Sequence, residues 1–207
     1  EDMFISMLRG EHGRQASELD RLILWLRTHA KPDIVHLSNA LLLGLAPRIT
    51  RDVGVPVVCS LQDEDGWIDS MQPDAAGRAW ALMRSLATHV AAFAPVSDYY
   101  REFMRTRLNL PATQLCTIPI GLALDDYAPS SLPFDPPVIG FLSRLCSSFG
   151  LDTLVEAFIR LKRTERLRNL RLHATGGRTS DDARFLRRLQ RRLRICGLEN
   201  DVRVYDD

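Results

Sequence analysis

Short apolar runs alternate with longer amphipathic segments along most of this 207-residue chain. In the first amphipathic segment, Leu19, Leu22, Ile23 and Leu26 recur at helical spacing. The pattern predicts helices over residues 15–29, 74–88, 98–108, 151–163 and 180–196, and one that Ser38 or Asn39 caps and Gly54 ends. It predicts strands over residues 34–37, 55–61, 90–96, 116–120, 138–142, 170–174 and 202–205. This alternation indicates parallel βαβ units and an α/β fold.

A proline-rich stretch interrupts the alternation at residues 128–137, APSSLPFDPP. Such punctuation is typical of a linker, so we predict one domain over residues 1–127 and a second over 138–207. Residues 1–150 carry 13 basic and 17 acidic side chains, whereas residues 151–207 carry 14 and 9. The asymmetry predicts two lobes with different surfaces.

Composition excludes several classes of protein. The net charge of +1 gives no overall attraction to nucleic acid. The four cysteines are far apart and form no C-x-x-C pair, which argues against a disulfide scaffold or a zinc site. Cys59 and Cys116 fall in predicted strands, where we expect small buried hydrophobes. No apolar run reaches the roughly 18–20 residues that span a bilayer, and we expect a cytoplasmic location.

The stretch VIGFLSRLCSSFG, residues 138–150, is the best candidate for ligand chemistry. Its apolar start predicts a buried parallel strand, and a polar loop with Ser143 and Arg144 follows before Gly150 opens a helix. Ligands of open α/β sheets bind beyond the carboxyl ends of strands. A helix N-terminus and an arginine both suit phosphate. The alternative is an ordinary βα unit whose arginine is solvated.

Six segments in order resemble the group 1 glycosyltransferases, which are retaining, nucleotide-sugar-dependent enzymes of the GT-B fold. They are DIVH (33–36), GVPVVCSLQDEDGW (54–67), FAPVSDYYREFM (93–104), CTIPIGLALDDYAP (116–129), VIGFLSRL with GLDTLVEAF (138–158) and LRLHATGG (170–177). The resemblance implies two Rossmann-like parallel-sheet lobes. Members of that family are longer, so it also implies that both lobes are incomplete, with the chain truncated at both ends and inactive alone.

The resemblance implies transfer of a hexose from a nucleotide sugar to an acceptor hydroxyl with retention, with no metal or other cofactor. Arg144 matches the family's phosphate-binding arginine. Phe149 stands where the family has a lysine, and Arg178 is a candidate replacement cation. The other expected donor-site residues are Ser143, Gly150, Gly176, Gly177 and Tyr205. The glycine pair is equally consistent with a simple turn.

On the acceptor side, Gln62 stands where the family has a histidine, and Asp63 follows it. We assign both to the catalytic edge, although the acidic cluster of residues 63–65 is equally consistent with solvated loop charges. Ser97 either caps a helix or contacts a ligand. Gly121 would let the chain approach the cleft, whereas Ile120 replaces the family's asparagine.

Two other functions stay open: a GT-B-like sugar-nucleotide epimerase or phosphorylase, and a non-catalytic remnant or binding module. The second is favoured by the substitutions at Gln62, Ile120 and Phe149. The expected partners are a nucleotide-sugar donor and a glycan, lipid-linked or small-molecule acceptor, with no nucleic acid. The arginine-rich helix 180–196 is either a solvated outer face or a peripheral contact with the inner face of a membrane.

Overall fold

A computed structural model describes residues 1–128, 135–164 and 167–205. The chain divides into two compact units, Glu1–Ala123 (unit 1) and Leu124–Asp207 (unit 2). Of the predicted linker over residues 128–137, residues 129–134 lie outside the described residues. Each unit is built around its own parallel sheet.

The sheet of unit 1 contains β1 (Val35–Leu37), β2 (Val57–Leu61) and β3 (Ala92–Pro95), in that order. All pairings are parallel: Val35 lies opposite Val57, and Cys59 lies opposite Phe93. These strands fall within the predicted runs, and their parallel pairing confirms the βαβ prediction.

The prediction of a strand over residues 116–120 was wrong. The N–H groups of Cys116 and Ile118 donate to the carbonyls of Phe93 and Pro95, each at 2.9 Å. The ladder does not continue beyond these two bonds, and residues 116–120 form no regular strand. Cys116 is exposed, against our expectation, whereas Cys59 on the central strand β2 is buried.

Six helices surround this sheet: α1 (Asp2–Leu8), α2 (Ala16–Trp25), α3 (Ala46–Arg48), α4 (Glu64–Ile68), α5 (Pro73–Leu86) and α6 (Asp98–Leu108). A wider turn, Leu26–Ala30, extends α2, and similar irregular turns, Ala40–Leu45 and Ile49–Val53, flank α3. The Asn39 side chain accepts the N–H of Leu41 at 3.1 Å, so Asn39 is the cap. Gly54 ends the segment with φ +80°.

Two glycines let the backbone of the first helical segment touch the turn after β1. A Cβ on Gly10 would lie 2.4 Å from the Gly44 carbonyl oxygen, and a Cβ on Gly44 would lie 2.1 Å from the Met7 oxygen. Side chains cannot occupy such distances, so both positions require glycine. Beneath this contact, Leu8, Leu19, Ile23, Val57 and Leu61 are buried in one core.

The sheet of unit 2 contains β4 (Val138–Leu142), β5 (Arg171–Thr175) and β6 (Val202–Tyr205), again parallel and in that order. Two helices pack on it, α7 (Leu151–Lys162) and α8 (Ala183–Ile195), and a short turn, Ser180–Asp182, leads into α8. The predicted apolar stripe of α8 is confirmed as buried: Phe185, Leu186, Leu189 and Leu193.

The prediction that the strand over residues 138–142 is buried was wrong. Val138 is 38% exposed and Leu142 is 86% exposed. Within the part of the chain that the structure describes, β4 pairs only with β5, so it is an edge strand with alternate residues facing outward. Its apolar run therefore does not mark a strand covered on both faces.

Candidate functional site

The carboxyl ends of the three strands of unit 2 are joined by backbone hydrogen bonds. The Ser143 N–H donates to the Thr175 carbonyl at 3.1 Å, and the Leu145 N–H donates to the Gly177 carbonyl at 3.0 Å. The Gly176 N–H donates to the Tyr205 carbonyl at 3.4 Å. The predicted residues Ser143, Gly176, Gly177 and Tyr205 therefore lie together at one edge.

Gly176 is required by the close approach of these loops. It has φ +151°, and a Cβ there would lie 1.9 Å from the Ser143 carbonyl oxygen. Gly177 has open space around the same position. Close contact with the loop of Ser143 therefore explains why residue 176 is glycine, but it does not explain the glycine at 177.

Arg144 is held at this edge by a carboxylate. Its Nη2 donates to Asp182 Oδ2 at 3.1 Å and to Thr179 Oγ1 at 3.2 Å, while the side chain is half exposed. Asp182 Oδ2 also accepts the N–H and the hydroxyl of Thr179, both at 2.8 Å. The bonds from Thr179, followed by Arg144, lower the pKa of Asp182. Among the described residues, Nε and Nη1 of Arg144 form no hydrogen bond.

The start of α7 lies after the same loop. Gly150 precedes it with φ +79°. Phe149 is 55% exposed, so an exposed aromatic ring stands where the family has a lysine. Asp152 occupies the first turn and accepts the Ser147 hydroxyl at 3.1 Å, which places one carboxylate at the positive end of this helix.

The remaining donor-side candidates lie around the same sheet. Arg178 is exposed and borders a cavity of about 110 Å³ lined largely by apolar residues of α7, α8 and the sheet. Tyr205 packs edge-on against His173, with ring centroids 5.8 Å apart. Arg178 lies between the glycine pair and Thr179, and the Thr179 hydroxyl accepts a hydrogen bond from Arg144.

The carboxyl edge of unit 1 places Gln62 beside the end of β1. Its Nε2 donates to the Ser38 carbonyl at 3.4 Å, and its side chain is exposed. Asp63 is exposed and has a left-handed backbone with φ +57°. Both candidate side chains therefore project from the strand end.

The acidic cluster after Gln62 is not uniformly solvated. Glu64 is only 2% exposed, and it accepts hydrogen bonds from the N–H groups of Ala40 and Gln62. Sequence reasoning missed both Glu64 and its partner Tyr100. The available signal was a carboxylate three residues after a buried strand, at the start of a helix.

The other acceptor-side candidates have simpler surroundings. The Ser97 side chain accepts the Tyr100 N–H at 3.1 Å, which confirms its role as the N-cap of α6. Gly121 is exposed, with open space where a Cβ would lie. Ile120 is also exposed. The described surroundings do not themselves require glycine at position 121.

The described ranges contain neither a metal-binding cluster nor a membrane-spanning helix. No group of three or more His, Cys, Asp or Glu side chains there could hold a metal ion. No helix of residues 1–128, 135–164 and 167–205 is long and apolar enough to cross a membrane.

A family model described as "Glycosyl transferase 4-like domain" matches residues 7–121, more than half of the chain. The chain belongs to this family. The match covers nearly all of unit 1, including Gln62, Asp63 and Ser97. The glycosyl transferase 4-like assignment agrees with the resemblance drawn from the sequence segments, and no curated protein sequence matches the chain.

Several solved structures are similar to this glycosyl transferase 4-like chain. Anabaena HepE, solved with UDP, is 16% identical, with a TM-score of 0.74 over 94% of this chain and 52% of that one. The lipopolysaccharide outer core galactosyltransferase WaaB is 18% identical, with a TM-score of 0.62 over 93% and 48%. Sucrose-phosphate synthase from Thermosynechococcus elongatus is 14% identical, with a TM-score of 0.64 over 94% and 51%. The chain spans about half the length of these proteins, and the likeness shows the GT-B fold.

Proposed function

We propose that the whole protein is a retaining glycosyltransferase that moves a hexose from a nucleotide sugar to an acceptor hydroxyl. Unit 2 would hold the donor and unit 1 the acceptor, which is a glycan, a lipid-linked saccharide or a small molecule. The observation that carries this proposal is Arg144, held beside the glycine loop at the carboxyl edge of unit 2. Family membership and the UDP named with HepE support it.

The proposed reaction breaks the bond between the anomeric carbon and the donor phosphate, and forms a bond to the acceptor oxygen on the same face. Negative charge then grows on the departing diphosphate. The free donors of Arg144 and the N–H groups at the start of α7 would stabilise that charge. The proposal requires no resident metal, because these groups supply the positive potential.

The acceptor proton would pass to the departing phosphate oxygen, so the mechanism needs no titrating base on unit 1. This fits Gln62, which can hydrogen-bond a sugar hydroxyl but cannot take up a proton. Asp63, exposed beside it, offers acceptors for a second hydroxyl. We assign both residues to orienting the acceptor.

The test is turnover by the full-length enzyme with a panel of nucleotide sugars. Arg144→Ala is expected to lower kcat at least about a hundredfold, the usual cost of one preorganised donor. The matched control is Arg21→Ala, which removes an exposed arginine of α2. The coupling constant of the product's anomeric proton reports retention, and chelation by EDTA should leave turnover unchanged. Normal turnover in Arg144→Ala would remove the assignment.

A non-catalytic binding module is the second candidate. Phe149 supplies no charge where the family has a lysine, and Arg144 already has a carboxylate partner in Asp182. This candidate predicts UDP binding without transfer to any acceptor. An epimerase would instead convert the nucleotide sugar in the absence of acceptor, which NMR of the donor alone detects.

We further propose a cytoplasmic location with peripheral contact to an anionic membrane. The four free cysteines support a reducing compartment. The outer face of α8 supports the contact, since its exposed arginines recur at helical spacing: Arg184, Arg187, Arg188, Arg191 and Arg194. Each contributes about 1 kcal/mol near an anionic surface. Replacing three with glutamine should abolish sedimentation with phosphatidylserine vesicles, whereas unchanged sedimentation would exclude this face.

A further inference from the structure

One buried carboxylate joins the ends of two strands at the edge of unit 1 that carries Gln62. Glu64 Oε1 accepts the Ala40 N–H at 2.9 Å, and Oε2 accepts the Gln62 N–H at 2.8 Å. Ala40 follows β1 and Gln62 follows β2. A carboxylate hidden from water is stable only when its oxygens are hydrogen-bonded, and here both oxygens have backbone partners.

Tyr100 connects the third strand, because α6 follows β3. Its hydroxyl donates to Glu64 Oε2 at 2.8 Å and accepts the Glu64 N–H at 2.9 Å. The same hydroxyl lies 2.9 Å from Asp65 Oδ1, so its single proton serves one carboxylate at a time. Burial, followed by the charge of Glu64, raises the pKa of Tyr100 and keeps it a donor.

Asp63 lies within this network and has an unusual backbone conformation. The bond from the Gln62 N–H to Glu64 spans Asp63, whose φ of +57° is uncommon for a residue with a side chain. Residues in such conformations persist only where their surroundings over-determine them. The buried Glu64 thus holds the backbone from which the exposed Gln62 and Asp63 side chains project.

We propose that Glu64 is a positioning residue for the acceptor, acting through the backbone of Gln62 and Asp63. The proposal rests on the proposed function, in which unit 1 orients the acceptor. Loss of the Glu64 carboxylate should therefore impair use of the acceptor. It should leave donor binding intact, because the donor site is assigned to unit 2.

Glu64→Gln in the full-length enzyme is the central variant. Glutamine keeps one acceptor oxygen, but its NH2 group stands in place of the other. Because that NH2 group cannot accept a backbone N–H, the bond from either Ala40 or Gln62 is lost. The expected result is a 10- to 100-fold fall in kcat/KM for the acceptor, roughly the loss of one hydrogen bond to a charged group. UDP affinity should stay within about twofold, since Glu64 lies in unit 1 and the proposed donor site lies in unit 2.

Two further variants separate positioning from a merely structural role. Tyr100→Phe keeps both backbone bonds to Glu64 and should lower acceptor kcat/KM less than Glu64→Gln does. Asp52→Asn removes one carboxylate that Arg48 and Arg51 share before β2, at the opposite end of the strand. It should lower the melting temperature without changing acceptor kinetics. Equal losses of UDP affinity and acceptor kcat/KM in Glu64→Gln would overturn the proposal.

Amide hydrogen exchange tests the network independently of activity. In Glu64→Gln, the Ala40 and Gln62 amides should exchange faster, while those of β5 stay protected. Unchanged protection of Ala40 and Gln62 would overturn the positioning proposal whatever the turnover. Faster exchange there, in a protein whose wild type transfers no sugar, would count against the proposed function alone.

Discussion

Gly176→Ala tests how the loops at the donor-side edge are held. The new Cβ would lie 1.9 Å from the Ser143 oxygen, whereas ordinary contacts begin near 3.4 Å. The loops must therefore separate, which breaks the bonds from the Ser143 and Leu145 N–H groups. Two backbone bonds contribute about 1–3 kcal/mol, and alanine at φ +151° adds about 1–3 kcal/mol of strain. We expect a loss of about 2–6 kcal/mol in the free energy of unfolding.

Urea denaturation followed by two signals measures this loss. All three tryptophans lie in unit 1, so their fluorescence reports that unit, whereas far-UV circular dichroism reports both. The dichroism midpoint attributable to unit 2 should fall by at least about 1 M. Gly177→Ala is the matched control, because nothing lies within 4 Å of its Cβ. Equal stability of the two variants would refute the steric argument.

Three other predictions concern single side chains. The pKa of Asp182 is lowered in the folded protein. Its contribution to stability is therefore present above its ordinary pKa and is lost as pH falls through the lowered value. The difference in free energy of unfolding between wild type and Asp182→Asn, measured by urea titration from pH 7 downward, should shrink over that range. Phe149→Lys should raise UDP affinity of the full-length protein severalfold in calorimetry, and no change would argue that position 149 does not face the phosphates. Iodoacetamide should label exposed Cys116 rapidly and spare Cys59, whose thiol pKa burial raises; mass spectrometry of the folded protein would contradict this if both reacted alike.

Periodicity predicted most of the fold because its elements are short and strongly patterned. Helix α6 and strands β4 and β6 begin and end at the predicted residues. The errors came from pairing, which hydropathy does not encode. Residues 116–120 have the composition of a strand, but in the described structure just two backbone bonds, from Cys116 and Ile118, join them to β3. In the described sheet three of the five residues of β4 are exposed, because one face of this edge strand is uncovered.

The candidate site was predictable in its location more than in its contacts. Parallel strands bring their carboxyl ends to one edge, so Ser143, Gly176 and Tyr205 had to be neighbours. The partner of Arg144 was not evident, because Asp182 is 38 residues away and reaches it only through the turn before α8. Glu64 was missed for the same reason: its hydrogen-bond partners, two backbone amides and the Tyr100 hydroxyl, come from three separate segments of the chain.

The contact between Gly10 and Gly44 has an evolutionary consequence. Each glycine faces backbone atoms of the other segment, and so neither position tolerates a methyl group unless the helix before it moves. Relatives that keep this arrangement should conserve both glycines, and relatives that lose one should be free to lose the other. Covariation between these two positions would thus distinguish relatives whose first helical segment packs against the turn after β1 from relatives in which it does not.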